Sequence, residues 1–352
     1  MKIYFPALDS LRFLASLNIV LLHFSSSSLL SYADNTVFAP ILKAPFFTTS
    51  VFFLLSGFIY SFLFHEQERI PKFKPFMKER FRRLYPLHII CTLLVFAIIA
   101  YRTSHFDNTV YAIKSIALHV SLLWAFVPEL GHALNQPSWA LSVFFICYAL
   151  TPVLSKFLNK QSNKTLWLLF SCLWVFVILF ILFFNELTNI PRVFSGVNFF
   201  FGMLLGKLFL NNAISLPKKA LANDLLLLLT LILQGVNIYH FRSINAAITY
   251  HIISPILYSV LLLLLANNNG FIVKILSVSW LRAVGKASFY TYLLHCVVIQ
   301  LLHLYLDKAV LWKYNPFNNL RTTIIIMILL YASCTMYGVI VRRFLRRGIK
   351  TR

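Results

Sequence analysis

The sequence predicts an all-α protein, a polytopic bundle of about ten transmembrane helices with both termini cytoplasmic. Three observations predict it. The chain has 352 residues, 59% of them hydrophobic and only 12% charged, and a mean hydropathy of +0.78, too apolar for a soluble domain. Apolar runs of about 20 residues recur along its whole length, and that is what a helix needs to cross a bilayer. Most of the 32 Lys and Arg residues lie in short loops and in the tail. Helices are the expected spanning element because they satisfy their own backbone polar groups where no water is present. A net charge of +22 would point to nucleic acid in a soluble protein. Placed in loops, it points to membrane orientation and anionic lipid, and no nucleic-acid partner is expected.

Taken in order, spans are expected near 8–29, 45–64, 84–101, 139–157, 165–185, 193–211, 220–240, 246–266, 287–306 and 322–341. Segment 111–127 is a further apolar candidate, but it is short and contains Lys114 and His119. Charge decides its status. The loop after the second span carries Arg69, Lys72, Lys74, Lys78, Arg80, Arg82 and Arg83, and the tail carries Arg342, Arg343, Arg346, Arg347, Lys350 and Arg352. Three further basic loops hold Lys156–Lys164, Lys207–Lys219 and Lys274–Lys286. All five alternate correctly as cytoplasmic only if 111–127 does not cross, so it is expected as a re-entrant or interfacial piece on the outer side. Residues 1–341 then form one membrane domain and 342–352 a basic cytoplasmic tail.

Other features bound the reading. Five cysteines lie scattered in apolar runs with no Cys-x-x-Cys, so neither a disulfide framework nor a zinc site is expected. Arg12 interrupts the first apolar run, and no cleavage pattern follows it, so no cleavable signal is expected. Asn267-Asn268-Asn269-Gly270 reads as a polar turn at a span end.

The first span carries Asp9, Arg12, Asn18 and His23, and ionisable groups in a span usually face a protein interior or a wet cavity. Arg12 and His23 are eleven residues apart, close to three helical turns, so they share a face roughly 16 Å apart along the axis. One alternative is an arginine snorkelling to the headgroups, paired with Asp9, and a core histidine bonded to a neighbouring helix. Ser56-Gly57 in the second span permits close helix approach. Arg80 and Arg83, three residues apart, share a face at a membrane edge and suit phosphate; Arg82 reads as topology charge. Ser138 and Trp139 open the fourth span, with Trp139 expected in an interfacial belt. Arg282, Lys286, Tyr292 and a second buried histidine, His295, mark the ninth region. Two buried histidines with Arg12 point to a functional cavity.

These pieces, in this order, resemble the acyltransferase-3 family of integral membrane acyltransferases. The resemblance rests on Leu-Asp-x-Leu-Arg with a histidine after ten further residues (Leu8 to His23) and on Phe-Phe-x-x-Ser-Gly-Phe (Phe52 to Phe58). It continues in Arg-x-x-Arg before Tyr-Pro (Arg80 to Pro86), Ser-Trp-x-Leu-Ser (Ser138 to Ser142) and Gly-x-x-Ser-Phe-x-x-Tyr-Leu-x-His (Gly285 to His295). It implies a membrane acyltransferase domain over 1–341 that moves an acyl group, usually acetyl, from cytoplasmic acyl-CoA to a hydroxyl of a surface polysaccharide or lipid-linked glycan. Many members continue the Ser-Trp motif into an acidic residue; here that position is Phe144, and Glu129 is the nearest candidate to replace it.

The expectation is therefore a bacterial inner-membrane O-acetyltransferase with acetyl-CoA as donor and no bound cofactor or metal. His23 is the expected general base, because an imidazole titrates near neutral pH. Arg12 is expected to bind the CoA or the thioester carbonyl region of the donor, and Arg80 and Arg83, with help from Arg282 or Lys286, to hold the CoA phosphates. Ser56, Asp9, Ser138, Trp139, Tyr292 and His295 are weaker cavity candidates. A relay through an acyl-enzyme on His23 or Ser56 ranks second to direct transfer. The rival readings are a transporter or flippase for a glycan or small metabolite, which the lack of an internal repeat weakens, and a non-catalytic sensor.

Overall fold

The structure, a computed structural model, describes residues 4–27, 29, 47–102, 108–127, 134–184, 192–240, 246–308 and 319–350. Among the described residues there is no strand. The helices are α1 (Pro6–Ser26), α2 (Phe47–Leu63), α3 (Phe73–Arg102), α4 (Thr109–Val120), α5 (Trp139–Leu158), α6 (Asn163–Phe184), α7 (Val197–Leu210), α8 (Ala220–Tyr239), α9 (Ala246–Ala266), α10 (Phe271–Leu276), α11 (Ser279–Lys308) and α12 (Leu320–Lys350). Nine of the described helices are long and apolar enough to cross a membrane, and Thr48–Leu63 is a shorter apolar helix beside them.

Contacts fix how the helices run. Asp9 meets Gly285 and His23 meets His295, so α1 and α11 are parallel. Ser16 bonds Tyr331 while Phe13 packs on the same ring, placing α12 beside α1. Leu54 meets Gly202 and Phe58 meets Gly206, so α2 and α7 are also parallel. One end of the bundle, here the near end, thus holds the start of α1, the end of α2 and the starts of α3 and α11. The far end holds His23, Asn18 bonded to Thr48 of α2, and Arg102 of α3 paired with Asp307 of α11 at 2.6 Å.

Two close approaches set the middle of the bundle. A β-carbon at Gly57 would fall on the Phe199 carbonyl oxygen, and one at Gly202 on that of Leu54, so α2 and α7 interlock through their glycines. Gly285 likewise lets α11 lie against the Asp9 carbonyl of α1. The close approach expected at Ser56-Gly57 is thus present. By contrast α6 and α8 turn large apolar side chains outward, among them Leu168, Leu179, Phe183, Leu225 and Ile232, as lipid-facing helices do.

The described structure bears out the expected non-crossing segment. Helix α4 has 12 residues, short of the roughly 20 that a span requires. It follows the far end of α3 and returns inward until the Val120 carbonyl accepts from Tyr85 and the His119 carbonyl from His88, both in the middle of α3. It is re-entrant. The turn at Asn267–Gly270 is also present; Gly270 has φ +115°, and the Asp224 carboxylate accepts from the Phe271 and Ile272 amides at 2.7 and 3.0 Å, capping α10.

Two span starts are corrected. Helix α3 begins at Phe73 rather than near 84 and α11 at Ser279 rather than near 287; helix α12 runs on to Lys350, past an apolar span of Leu320–Ile340 that matches the expected 322–341. Lys, Arg and Glu are good helix formers, so the helices continue where the apolar run stops. Trp139 is corrected too. It is buried beside Phe53, not in an interfacial belt, because the turns that follow α4 cover it where lipid was expected.

Candidate functional site

Asp9, near the start of α1, is buried and gathers cations around itself. Its carboxylate accepts from Arg12 Nη1 at 2.7 Å and from the Tyr4 hydroxyl at 2.7 Å, and it pairs with Lys286 Nζ at 3.7 Å. One carboxylate thus holds two cations from two helices. Gly285 permits this, since the lack of a side chain lets α11 bring Lys286 up to α1.

Arg12 and Lys286 open onto a cavity of about 330 Å³ between α1, α2, α3, α5 and α11, where Arg80 and Arg83 join them. Arg80 is held by aromatic rings: its guanidinium carbon lies 5.0 Å from the Phe76 centroid, one turn back on α3, and 5.7 Å from that of Tyr60 on α2. Its ion pair with Glu79 is long, at 3.5 Å, and Glu79 is 68% exposed, so that pair contributes little. Arg83 lies one turn on from Arg80, on the shared face expected of an i, i+3 pair. Among the described residues no Asp or Glu lines the cavity. Its four lining cations are offset by Asp9 from behind and by Glu79 from the rim, which leaves capacity for an anionic ligand.

Polarity changes with depth. Along α2 the lining runs from Leu63 through Ile59, Ser56 and Phe52 to Thr49, roughly 21 Å at 1.5 Å per residue. The cations lie toward the near end. The inner end is walled by Phe52, Ala140, Leu141, Phe144, Phe289 and Tyr292. Such a cavity offers charge-assisted hydrogen bonds to anionic oxygens at its mouth and apolar contact at its base.

The two histidines sit beyond that base. The His23 and His295 rings lie 5.1 Å apart at 38°. His295 is fully buried, and its Nδ1 donates to the Thr291 carbonyl at 3.2 Å, which leaves the lone pair on Nε2. Tyr292 stands between the histidines and the cavity. Its ring is 6.1 Å from that of His295 and 6.3 Å from that of Phe52, and its hydroxyl donates to the Pro137 carbonyl.

The structure thus brings Arg12, Arg80, Arg83, Lys286, Ser56 and Tyr292 to one cavity, with Asp9 behind it. His23 and His295 form a neighbouring pair. Arg12 and His23 share the α1 face toward α11, as their spacing predicts. Arg282 does not line the cavity, although Lys286 one turn later does. Ser138 is structural: it accepts from Trp124 Nε1 at 3.0 Å and donates to the Asn135 carbonyl at 2.7 Å. Glu129 lies outside the described residues. Sequence reasoning missed the aromatic wall. Phe76 was accessible, four residues before Arg80 on one helix. Tyr60 carries no local signal, because it meets Arg80 only across helices.

Comparison with known proteins agrees with the geometry. A family model described as an acyltransferase domain matches residues 5–340. The chain is similar to an acyltransferase named MdmB from Streptomyces mycarofaciens, 27% identical over 168 residues. That match covers 46% of this chain and 42% of the relative, so the chain spans less than half of it. No solved structure matches the chain. With the family model spanning nearly the whole bundle and its motifs lining one cavity, the chain belongs to the acyltransferase-3 family, and nine of its described helices are long and apolar enough to cross a membrane.

Proposed function

We propose that the protein is an acyl-CoA-dependent O-acyltransferase that moves an acetyl group from cytoplasmic acetyl-CoA to a hydroxyl of a surface polysaccharide or lipid-linked glycan in a bacterial inner membrane. The observation that carries this reading is the convergence of Arg12, Arg80, Arg83 and Lys286 on one narrow cavity with an apolar base. Coenzyme A has matching chemistry, several phosphates on a long arm that ends in a thioester. In this reading the near end faces the cytoplasm, as its basic loops favour. The arm enters past Arg80 and Arg83, and Arg12 lies further in toward the thioester.

His23 acts on the acceptor from the other side of Tyr292. It takes the proton of the acceptor hydroxyl, the oxygen attacks the thioester carbonyl carbon, and the carbon–sulfur bond breaks. The CoA sulfur leaves as thiolate and takes up a proton, so acyl transfer is balanced with no further reactant. His295, its tautomer set by Thr291, keeps its Nε2 lone pair beside the Cys296 thiol at 3.9 Å, on a ring 5.1 Å from that of His23. Direct transfer is preferred to a relay through Ser56, which lies on α2, across the cavity from the α1–α11 face that holds the histidines.

The test uses purified protein in liposomes supplied with labelled acetyl-CoA and an extract of lipid-linked glycans. The expected result is acceptor-dependent release of CoA thiol with label appearing in glycan. Glycan moved across the bilayer with the thioester intact would replace this reading with a flippase.

A further inference from the structure

We propose that Phe144 sets the length of the acyl chain that the donor cavity admits. The inference rests on the donor reading above and adds a specificity-determining residue to it.

The cavity has one polar end and one apolar end. A donor whose phosphates meet Arg80 and Arg83 must point its acyl group toward the base. The Tyr292 hydroxyl is tied to the Pro137 carbonyl and its ring packs beside Phe52, so α11 and α2 narrow the base toward the histidines, the side from which the acceptor oxygen must reach the thioester. The remaining direction is along α5, where Tyr148, Phe144 and Ala140 line the cavity on successive turns. Beyond Phe144 the next turn offers the small side chain of Ala140 beside Leu141, so Phe144 is the largest side chain between the cations and that end of the cavity and the one that decides whether a longer chain finds room.

Phe144 is also fixed in place. Its ring stacks on Phe53 at 4.3 Å and 25° and lies 5.6 Å from the ring of Tyr148. A ring packed on both sides is a rigid stop, because shifting it would break its contacts with Phe53 and Tyr148. Truncation opens apolar volume beside Ala140 in line with the acyl terminus. Each further methylene buried there is worth roughly fourfold in preference, about 0.8 kcal/mol.

The experiment measures kcat/KM for acetyl-, butanoyl-, hexanoyl- and octanoyl-CoA with one glycan acceptor. Wild type, Phe144→Leu, Phe144→Ala and Phe144→Trp are compared at matched amounts of folded protein. The wild type should decline steeply beyond a short chain. Phe144→Ala should raise the octanoyl-to-acetyl ratio at least about tenfold, Phe144→Leu less, and Phe144→Trp should lower it. If Phe144→Ala does not fold, the Leu and Trp variants decide by moving the cutoff in opposite directions. A wild type that transfers acyl groups while every folded variant keeps its chain-length profile overturns the role of Phe144 and leaves the donor reading intact. A wild type that uses none of the four donors overturns both.

Discussion

The two halves of the site are built on opposite principles. At the near end, charge is gathered and left accessible: Arg12, Arg80, Arg83 and Lys286 line an open cavity, and Asp9 steadies two of them from behind. Toward the far end, the His23 and His295 rings lie 5.1 Å apart, with Tyr292 between them and the cavity. The first arrangement suits holding a polyanion, and the second suits moving a proton. In the proposed function this difference assigns binding and chemistry to separate residue sets, which share only the α1 and α11 helices. Mutations should therefore separate them.

The largest separation is expected at His23. His23→Ala should lower acyl transfer by about 10²–10⁴-fold, the usual cost of losing a general base, while donor affinity stays close to wild type. Turnover at fixed membrane abundance, read with isothermal CoA titration, checks both halves. Arg80→Ala and Arg83→Ala should do the reverse. Each should weaken CoA binding by about 1.5–3 kcal/mol, roughly tenfold to more than a hundredfold, as a charge-assisted bond to phosphate would. Titration at two salt concentrations should show the loss shrinking at high salt.

Arg12 sharpens the comparison because it stands between the halves. Arg12→Lys keeps the charge and the near-end orientation signal but loses the planar fork that engages Asp9 and an oxygen ligand together. Activity should fall well below wild type, and Arg12→Gln should fall further; full activity in the lysine variant would reduce Arg12 to a helix anchor. The smallest effect is expected at Arg282. It lies one turn from Lys286 yet outside the cavity, so Arg282→Ala should leave CoA affinity within about twofold of wild type, whereas Lys286→Ala should not.

Much of this was legible in the sequence, for reasons that differ residue by residue. The Arg12–His23 face follows from the 3.6-residue period alone. Helix α4 was recognised as non-crossing because loop charge left no other parity. The starts of α3 and α11 were not legible, because hydropathy finds where lipid is and not where a helix of good helix formers begins. That matters functionally, since Arg80, Arg83 and Lys286 are presented on rigid helix and not on loop. Trp139 was misplaced because a tryptophan at a span end reads the same whether lipid or a re-entrant segment covers it. The aromatic wall was invisible for the same reason: Tyr60 reaches Arg80, and Phe53 reaches Phe144, only once α2, α3 and α5 are packed together.

The most direct test of separate binding and chemistry is one equilibrium titration of acetyl-CoA onto purified wild type, His23→Ala and Arg83→Ala at one salt concentration. The account predicts that His23→Ala binds the donor within about twofold of wild type, while Arg83→Ala binds at least about tenfold more weakly. Equal weakening in both variants, or wild-type affinity in Arg83→Ala, would contradict it.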